Sequence, residues 1–324
     1  MPDNALERAL GLKRDGRFDE AVIALESLLV SEPRNGQALA HLAHCQLRRG
    51  RPEQALQELD RAEAAAGTTA FSARLRGDAL YRLGGHREAA RAYEDALALG
   101  DRGSWPLVQL ARCRIRLRDL PGARDAGNRA VERDPESASG WTVLGEVAAA
   151  EDDLVQAEAM YARAHECDPK DRYAYARLVR ARLLQLPPEA RAREVKVLLK
   201  SGGRDNSHLL GVLAQVQREL GDETAAAEAW RRSGDRAAAG DLFFARKQEG
   251  YARRRAGDLE GAAHLLRDCL LQAPQDIILF KTYVGLERQR GATDELKQTL
   301  QELLTVAGQR RGAVYAELRR LERG

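Results

Sequence analysis

The chain has 324 residues, of which 44% are hydrophobic, 31% charged and only 5% aromatic. Its formal net charge of +3 is far below the basic excess of a non-specific nucleic-acid binder, so nucleic acid is disfavoured as a partner. No run of 18 apolar residues occurs, which excludes a transmembrane helix, and the start shows no secretory signal, so a cytoplasmic location is expected.

From the first residues the chain keeps a 34-residue beat. Small residues fall at Ala9, Ala43, Gly77, Ala111 and Gly145, and alanines at Ala21, Ala55, Ala89, Ala123 and Ala157. A fixed period in this range means one supersecondary unit repeated, with neighbours stacked on a shared core. Repeats begin near Pro2, Gly36, Ala70, Ser104, Ala138 and Arg172, then with slight drift near Ser207, Phe243 and Ile277. Each reads as two helices, since the composition leans on Ala and Leu and is poor in β-branched residues. Gly16, Gly50, Gly84, Gly221, Gly257 and Gly291 mark the turn inside a repeat, where φ > 0 is cheap for glycine. Pro33, Pro135, Pro169 and Pro274 punctuate the ends of second helices. The small residues belong where the paired helices cross, because a larger side chain would push the axes apart.

The expected organisation is five regular repeats over 1–171, a degenerate basic sixth repeat over 172–206, three further repeats over 207–310, and a capping helix over 311–324. In the sixth repeat Pro187-Pro188 stands at the turn, the second helix is expected from about Glu189 to Lys200, and a Ser201–Gly203 loop follows. It reads either as a hinge or as an irregular repeat still packed in the stack. In the last helix Val314, Leu318 and Leu321 would seal the array, with Arg311, Glu317, Arg319 and Arg320 toward water. The four cysteines include no CxxC; Cys45 and Cys113 occupy the same repeat position, two periods apart, and all four read as reduced packing thiols.

The fifth repeat carries the clearest motif: Trp141-x2-Leu144-Gly145-x2-Ala148, then Ala157-x3-Tyr161, then Pro169. It resembles the tetratricopeptide repeat pattern W-x2-L-G-x2-Y, A-x3-F and a closing Pro, with Ala148 in place of Tyr and Tyr161 in place of Phe. The resemblance recurs over nearly the whole chain. It implies an all-α solenoid of about nine helix-turn-helix units in a right-handed superhelix with a C-terminal cap. It also implies a concave groove, lined by first helices, that binds other proteins.

With position 1 of the first repeat at Pro2, positions 4, 7, 8 and 11 share the packing face, and positions 2, 6, 9 and 13 fall roughly opposite. Position 13 is Arg14, Arg48, Arg82 and Arg116, a column that lapses at Ala150, Leu184 and Glu219 and returns at Arg255. Near it lie His41, His44, Asp78, Arg112, Arg177, Arg180 and Tyr251, with aromatic residues at position 2 (Phe71, Trp105, Tyr173, Phe244). Spaced guanidiniums can hold the carboxylates of an extended segment, and aromatic residues can supply apolar anchors. The same column can equally be an ordinary solvated face. The family's chaperone-tail clamp is absent, since its Lys and Asn positions hold Leu6 and Leu10, then Ala40 and His44. The asparagine ladder of sugar-transferase-type superhelices is missing too.

A second feature is the stretch from Arg172 to Arg204, with nine Lys or Arg against Glu189 and Glu194. Arg193, Lys196 and Lys200 share one helical face, as a docking patch for an acidic partner, phosphate or anionic lipid, or as the charged outside of an irregular repeat. His41-x2-His44 is a weak metal signal without a carboxylate beside it, and no metal or cofactor is expected. No phosphate-cradling loop, G-x-S-x-G or H-E-x-x-H occurs, so an enzyme is not expected. The expected function is a scaffold or adaptor that binds an extended or helical, acidic protein segment. The alternatives are an electrostatic adaptor for nucleic acid or membrane, and an accessory subunit that docks a folded enzyme or secretion component. The Ala-, Leu- and Arg-rich composition suggests a bacterial source.

Overall fold

A computed structural model describes residues 2–201, 206–306 and 311–323. Among these the chain is all-α, with 19 helices and no strand. It divides into two compact blocks, Met1–Pro169 and Lys170–Gly324.

The N-terminal block holds five helix pairs: α1 (Pro2–Arg14) with α2 (Phe18–Ser31), α3 (Gly36–Arg48) with α4 (Pro52–Ala66), α5 (Ala70–Arg82) with α6 (His86–Ala98), α7 (Trp105–Arg116) with α8 (Leu120–Arg133), and α9 (Ala138–Ala150) with α10 (Leu154–Cys167). Local chemistry starts the helices: the side chains of Asn35, Asp119, Ser137 and Asp153 each accept a first-turn N–H, and Thr69 forms a capping box with Ser72. Within a pair the helices pack along their length, and each first helix also touches the first helix of the next repeat.

The small-residue beat has a concrete cause. The alanines at position 20 are completely buried, and in the third and fifth repeats position 8 lies against position 24 of the same repeat. A Cβ on Gly77 would stand 2.6 Å from the Tyr93 ring, and one on Gly145 the same distance from Tyr161. Where position 8 is Ala9 or Ala43, position 24 is the smaller Leu25 or Leu59. The fourth repeat departs from this match: its position 24 is Gly127, where a Cβ would stand 2.6 Å from Leu144 of the next repeat.

The turn inside each repeat is equally regular. Gly16, Gly50 and Gly84 have φ of 76°, 76° and 82°, and Arg118 and Asp152 occupy the same place at φ 64°. The array therefore imposes a left-handed residue at position 15 even where the side chain disfavours it.

The C-terminal block contains α11 (Arg172–Gln185), α12 (Pro188–Ser201), α13 (Ser207–Glu219), α14 (Glu223–Gly234), α15 (Ala239–Arg255), α16 (Leu259–Gln272), α17 (Ile277–Arg290), α18 (Thr293–Val306) and α19 (Arg311–Arg323). The sixth repeat turns differently. Leu186 is extended (φ −81°, ψ 147°), as the following proline requires, and no left-handed residue is used. Arg191 then closes the turn from inside, donating to the carbonyls of Leu183 (3.0 Å), Leu184 (3.1 Å) and Leu186 (3.0 Å). Helix α12 continues through Ser201; Gly202 and Gly203 of the expected loop lie outside the described residues.

Two expectations need correction here. The eighth repeat begins at Ala239 rather than near Phe243, because α15 has an extra N-terminal turn, so Phe244 is interior to the helix. In α19 Val314 is buried as expected and Leu318 and Leu321 pack against the same apolar cluster, but Glu317 is buried with them. It pairs with Arg288 of α17 and Arg320, so the cap is sealed by an ion pair as well as by apolar contact.

Candidate functional site

The four arginines at position 13 in the N-terminal block all end a first helix and are exposed. Among the described residues none of Arg14, Arg48, Arg82 and Arg116 forms an ion pair. Arg48 lies over the Phe18 ring at 5.1 Å, and Arg82 donates to the Leu47 carbonyl of the preceding repeat. By contrast Arg112 is bound to Glu146 at 3.3 Å, and in the C-terminal block Arg180 to Glu219 at 3.3 Å and Arg255 to Glu223 at 2.7 Å. Those three are held by neighbouring helices of their own array.

Positions 2, 6 and 9 are less open than helical geometry alone suggests. Leu75, Gln109 and Val143 at position 6 are buried, because adjacent first helices cover that strip. Asp78 accepts hydrogen bonds from Tyr93 Oη at 2.8 Å and Trp105 Nε1 at 3.3 Å. Burial raises its pKa, while these two donors oppose the rise. Trp105 remains 43% exposed and offers an apolar face beside the column.

A basic, aromatic niche occupies repeats 1 to 3. Lys13 Nζ lies 3.0 Å from His41 Nδ1 and 5.6 Å from the Phe71 centroid; Arg74 lies over the same ring at 5.4 Å. His41 packs on Phe71 at 5.1 Å, and His44 stands between Phe18 and Phe71. Burial, and secondarily Lys13, hold both histidines down to about 4, so they are neutral at physiological pH. With neutral imidazoles, His41 is a hydrogen-bond partner of Lys13. Among the described residues no group of three or more His, Cys, Asp or Glu is arranged to hold a metal.

In the C-terminal block the expected Tyr173 and Arg177 come together. Arg177 stacks on the Tyr173 ring at 4.8 Å and donates to its hydroxyl at 2.8 Å. Residues that sequence reasoning did not single out complete this cluster: His208 meets Tyr173 edge-on at 5.7 Å, and Trp230 meets Phe244 at 5.6 Å. Trp230 had a signal, since it lies over Gly211 as tyrosines lie over glycines in the N-terminal block. Tyr251 is half-buried and set apart from them; burial raises its pKa, as does nearby Asp276. Arg193, Lys196 and Lys200 are exposed along α12. Cys45, Cys113 and Cys269 are buried free thiols, with burial raising Cys113 to about 12 and Cys269 to about 11.

Helix pairs stacked on a shared interior define a helical repeat protein. Residues 5–120 match the Tetratricopeptide repeat-like domain family, and residues 108–172 match the Tetratricopeptide repeat family. The chain belongs to the tetratricopeptide repeat family, and its fold is an all-α helical repeat solenoid.

A solved tetratricopeptide repeat protein from Parabacteroides merdae is similar with a TM-score of 0.62 at 13% identity, covering 78% of this chain and 98% of its own. A thermophilic repeat protein from Thermus thermophilus is similar at 24% identity with a TM-score of 0.48, covering 56% of this chain and 100% of its own. No curated protein matches the sequence. Among the described residues no helix is long and apolar enough to cross a membrane.

Proposed function

We propose that the chain is a non-catalytic scaffold whose N-terminal block holds an extended, acidic segment of another protein along the position-13 arginines. The observation that carries this reading is that Arg14, Arg48, Arg82 and Arg116 recur once per repeat, exposed and without a carboxylate partner among the described residues. Packed helices stand about 8–10 Å apart, which is about one turn of a polyproline II segment. In a polyproline II ligand, with three residues per turn and about 3.1 Å per residue, a carboxylate at every third residue falls on one face and meets successive guanidiniums. Trp105 and the Lys13–His41–Phe71 niche supply apolar and cationic surface beside that row. The buried free thiols support a reducing compartment, such as the cytoplasm.

Titration with a peptide of four Glu-Ser-Gly units at two salt concentrations tests the reading. Binding should weaken with salt and fall roughly tenfold or more when Arg48, Arg82 and Arg116 are changed together to Glu, with helicity unchanged. Equal binding by the triple variant refutes the assignment.

A second reading rests on Arg193, Lys196 and Lys200, which share an exposed face of α12 and have no ion-pair partner among the described residues. It makes that face a contact for anionic lipid or nucleic acid. Arg180 and Arg191 of the same stretch are engaged internally, which leaves this patch smaller than its sequence charge. Absence of salt-dependent binding to anionic vesicles, DNA and RNA removes this reading.

A further inference from the structure

The N-terminal block gathers cations of three repeats around one phenylalanine. Lys13 in the last turn of α1, His41 and His44 of α3, and Arg74 of α5 all lie against the Phe71 ring. His41, His44 and Arg48 stand at i, i+3 and i+7 and so share one face of α3. Arg48 covers the Phe18 ring at 5.1 Å, and His44 meets that ring edge-on at 6.3 Å. Burial, then Lys13, Arg48 and Arg74 in turn, lower the His44 pKa, so this imidazole senses all three cations.

Counter-charge for the niche is incomplete. Arg74 is neutralised within its own array: Asp101 pairs with it at 3.2 Å, and Asp78 acts on it as well. Lys13 and Arg48 have no carboxylate partner among the described residues. The charged groups that act on Lys13 are Cys45 and Arg74. Burial raises the Cys45 thiol, which is therefore neutral at physiological pH. Lys13 is itself half-buried, and burial is the main cause that lowers its pKa. One of its three N–H groups goes to His41 Nδ1 at 3.0 Å, which leaves two. A shielded ammonium without a counter-ion is costly, and an anion from outside relieves that cost.

Charge and shape decide which anion. Two uncompensated cations, Lys13 and Arg48, match a phosphate monoester, which carries about −1.5 to −2 at pH 7 and three acceptor oxygens. A carboxylate would leave one of them unmatched. Phe18 and Phe71 are already faced by these cations and imidazoles, and both pack against the apolar cluster of the first two repeats. Neither ring is therefore free to stack a phosphotyrosine, which favours phosphate on a short aliphatic arm.

We propose that Lys13 and Arg48, beside His44, form a site for the phosphate of a phosphoserine or phosphothreonine in the partner segment. That a polypeptide carries the phosphate rests on the reading above; the site shares only Arg48 with the arginine column.

The full chain is titrated with a blocked peptide, Gly-Ser-Gly-Ser-Gly-Ser-Gly phosphorylated on its central serine, with the counterpart that has glutamate there, and with inorganic phosphate. The phosphopeptide should bind about tenfold more tightly than either of the others. Lys13→Gln should lower its affinity about tenfold with helicity unchanged. In the complex two of the six histidines, identified by His41→Gln and His44→Gln, should titrate at higher pH in proton NMR, because a bound anion favours the imidazolium. Equal binding of the glutamate peptide or of inorganic phosphate overturns the proposal, as do histidine titrations that stay in place. So does a Lys13→Gln variant that binds the phosphopeptide unchanged. Lys13→Gln leaves every position-13 arginine in place, so the column can fail without this site and this site without the column.

Discussion

The two blocks build helix pairs by different means. In the N-terminal block the backbone and the smallest side chains set the geometry: position 8 admits position 24 in the third and fifth repeats, position 20 is a buried alanine, and position 15 turns left-handed. Long charged side chains at position 13 are then left for the surface. In the C-terminal block that rhythm lapses, and charged side chains take over structural work. Arg191 replaces the left-handed turn of the sixth repeat, Glu317 ties the cap to α17, and Arg290 binds the buried Glu287 at 2.6 Å in the ninth repeat. At position 13 the regular array leaves its arginines exposed and without an ion pair among the described residues, whereas Arg255 of the irregular block is bound to Glu223.

The comparison breaks most directly at the volume match. Gly145→Ala should destabilise the fifth repeat by about 3 kcal/mol, because the new Cβ overlaps the Tyr161 ring. Adding Tyr161→Leu, which recreates the Ala43–Leu59 combination, should recover most of the loss in a urea-unfolding double-mutant cycle. Non-recovery would show that the match is not pairwise. Next in size is Arg191→Ala, which strips the Leu184 and Leu186 carbonyls of their donor and leaves Leu183 only the Leu186 N–H. A loss of about 2 kcal/mol is expected, read as faster hydrogen exchange at the end of α11 with α9 and α10 unaffected.

A smaller effect has the opposite sign. Arg118→Gly should stabilise the fourth repeat by about 1 kcal/mol, since glycine tolerates the imposed φ. Asp152→Gly should gain less, because Asp enters this region more readily than Arg. Smallest is a pH effect confined to the N-terminal block. The folded chain holds His41 and His44 at about 4 against the ordinary value of 6.5. Their contribution is therefore complete above pH 6.5 and lost as pH falls toward 4, where the unfolded state binds more protons. Both rings are part-exposed, so solvent screening moderates the size. His44→Gln should flatten this limb of a stability–pH profile, and an unchanged limb would assign it to other groups.

What was legible in the sequence follows the same division. The helix pairs, the turn glycines and the buried Ala9, Ala43 and Ala55 were readable because each is fixed by local conformation and repetition. The exposure of Arg14, Arg48, Arg82 and Arg116 also followed from position on a helix. The occupants of Asp78 and Arg112 did not: Trp105 and Glu146 reach them from the next repeat, and long rotamers decide such meetings. Glu317 looked solvent-facing because the donor that binds it, Arg288, lies 29 residues away. Trp230 and His208 escaped notice because their aromatic cluster needs four helices at once, and no single helical face announces it.

The volume match between positions 8 and 24 also bears on how such a chain can be lengthened or recombined. A transplant of α5 into the second repeat would set Gly77 against Leu59 and leave a void, while α3 in the third would drive Ala43 into Tyr93. In the third and fifth repeats the complete helix pair, cut at the loops between repeats, carries its lock and key together. Duplication or grafting that copies whole pairs transmits a working interior, and a crossover inside the turn at position 15 separates the two halves of the fit.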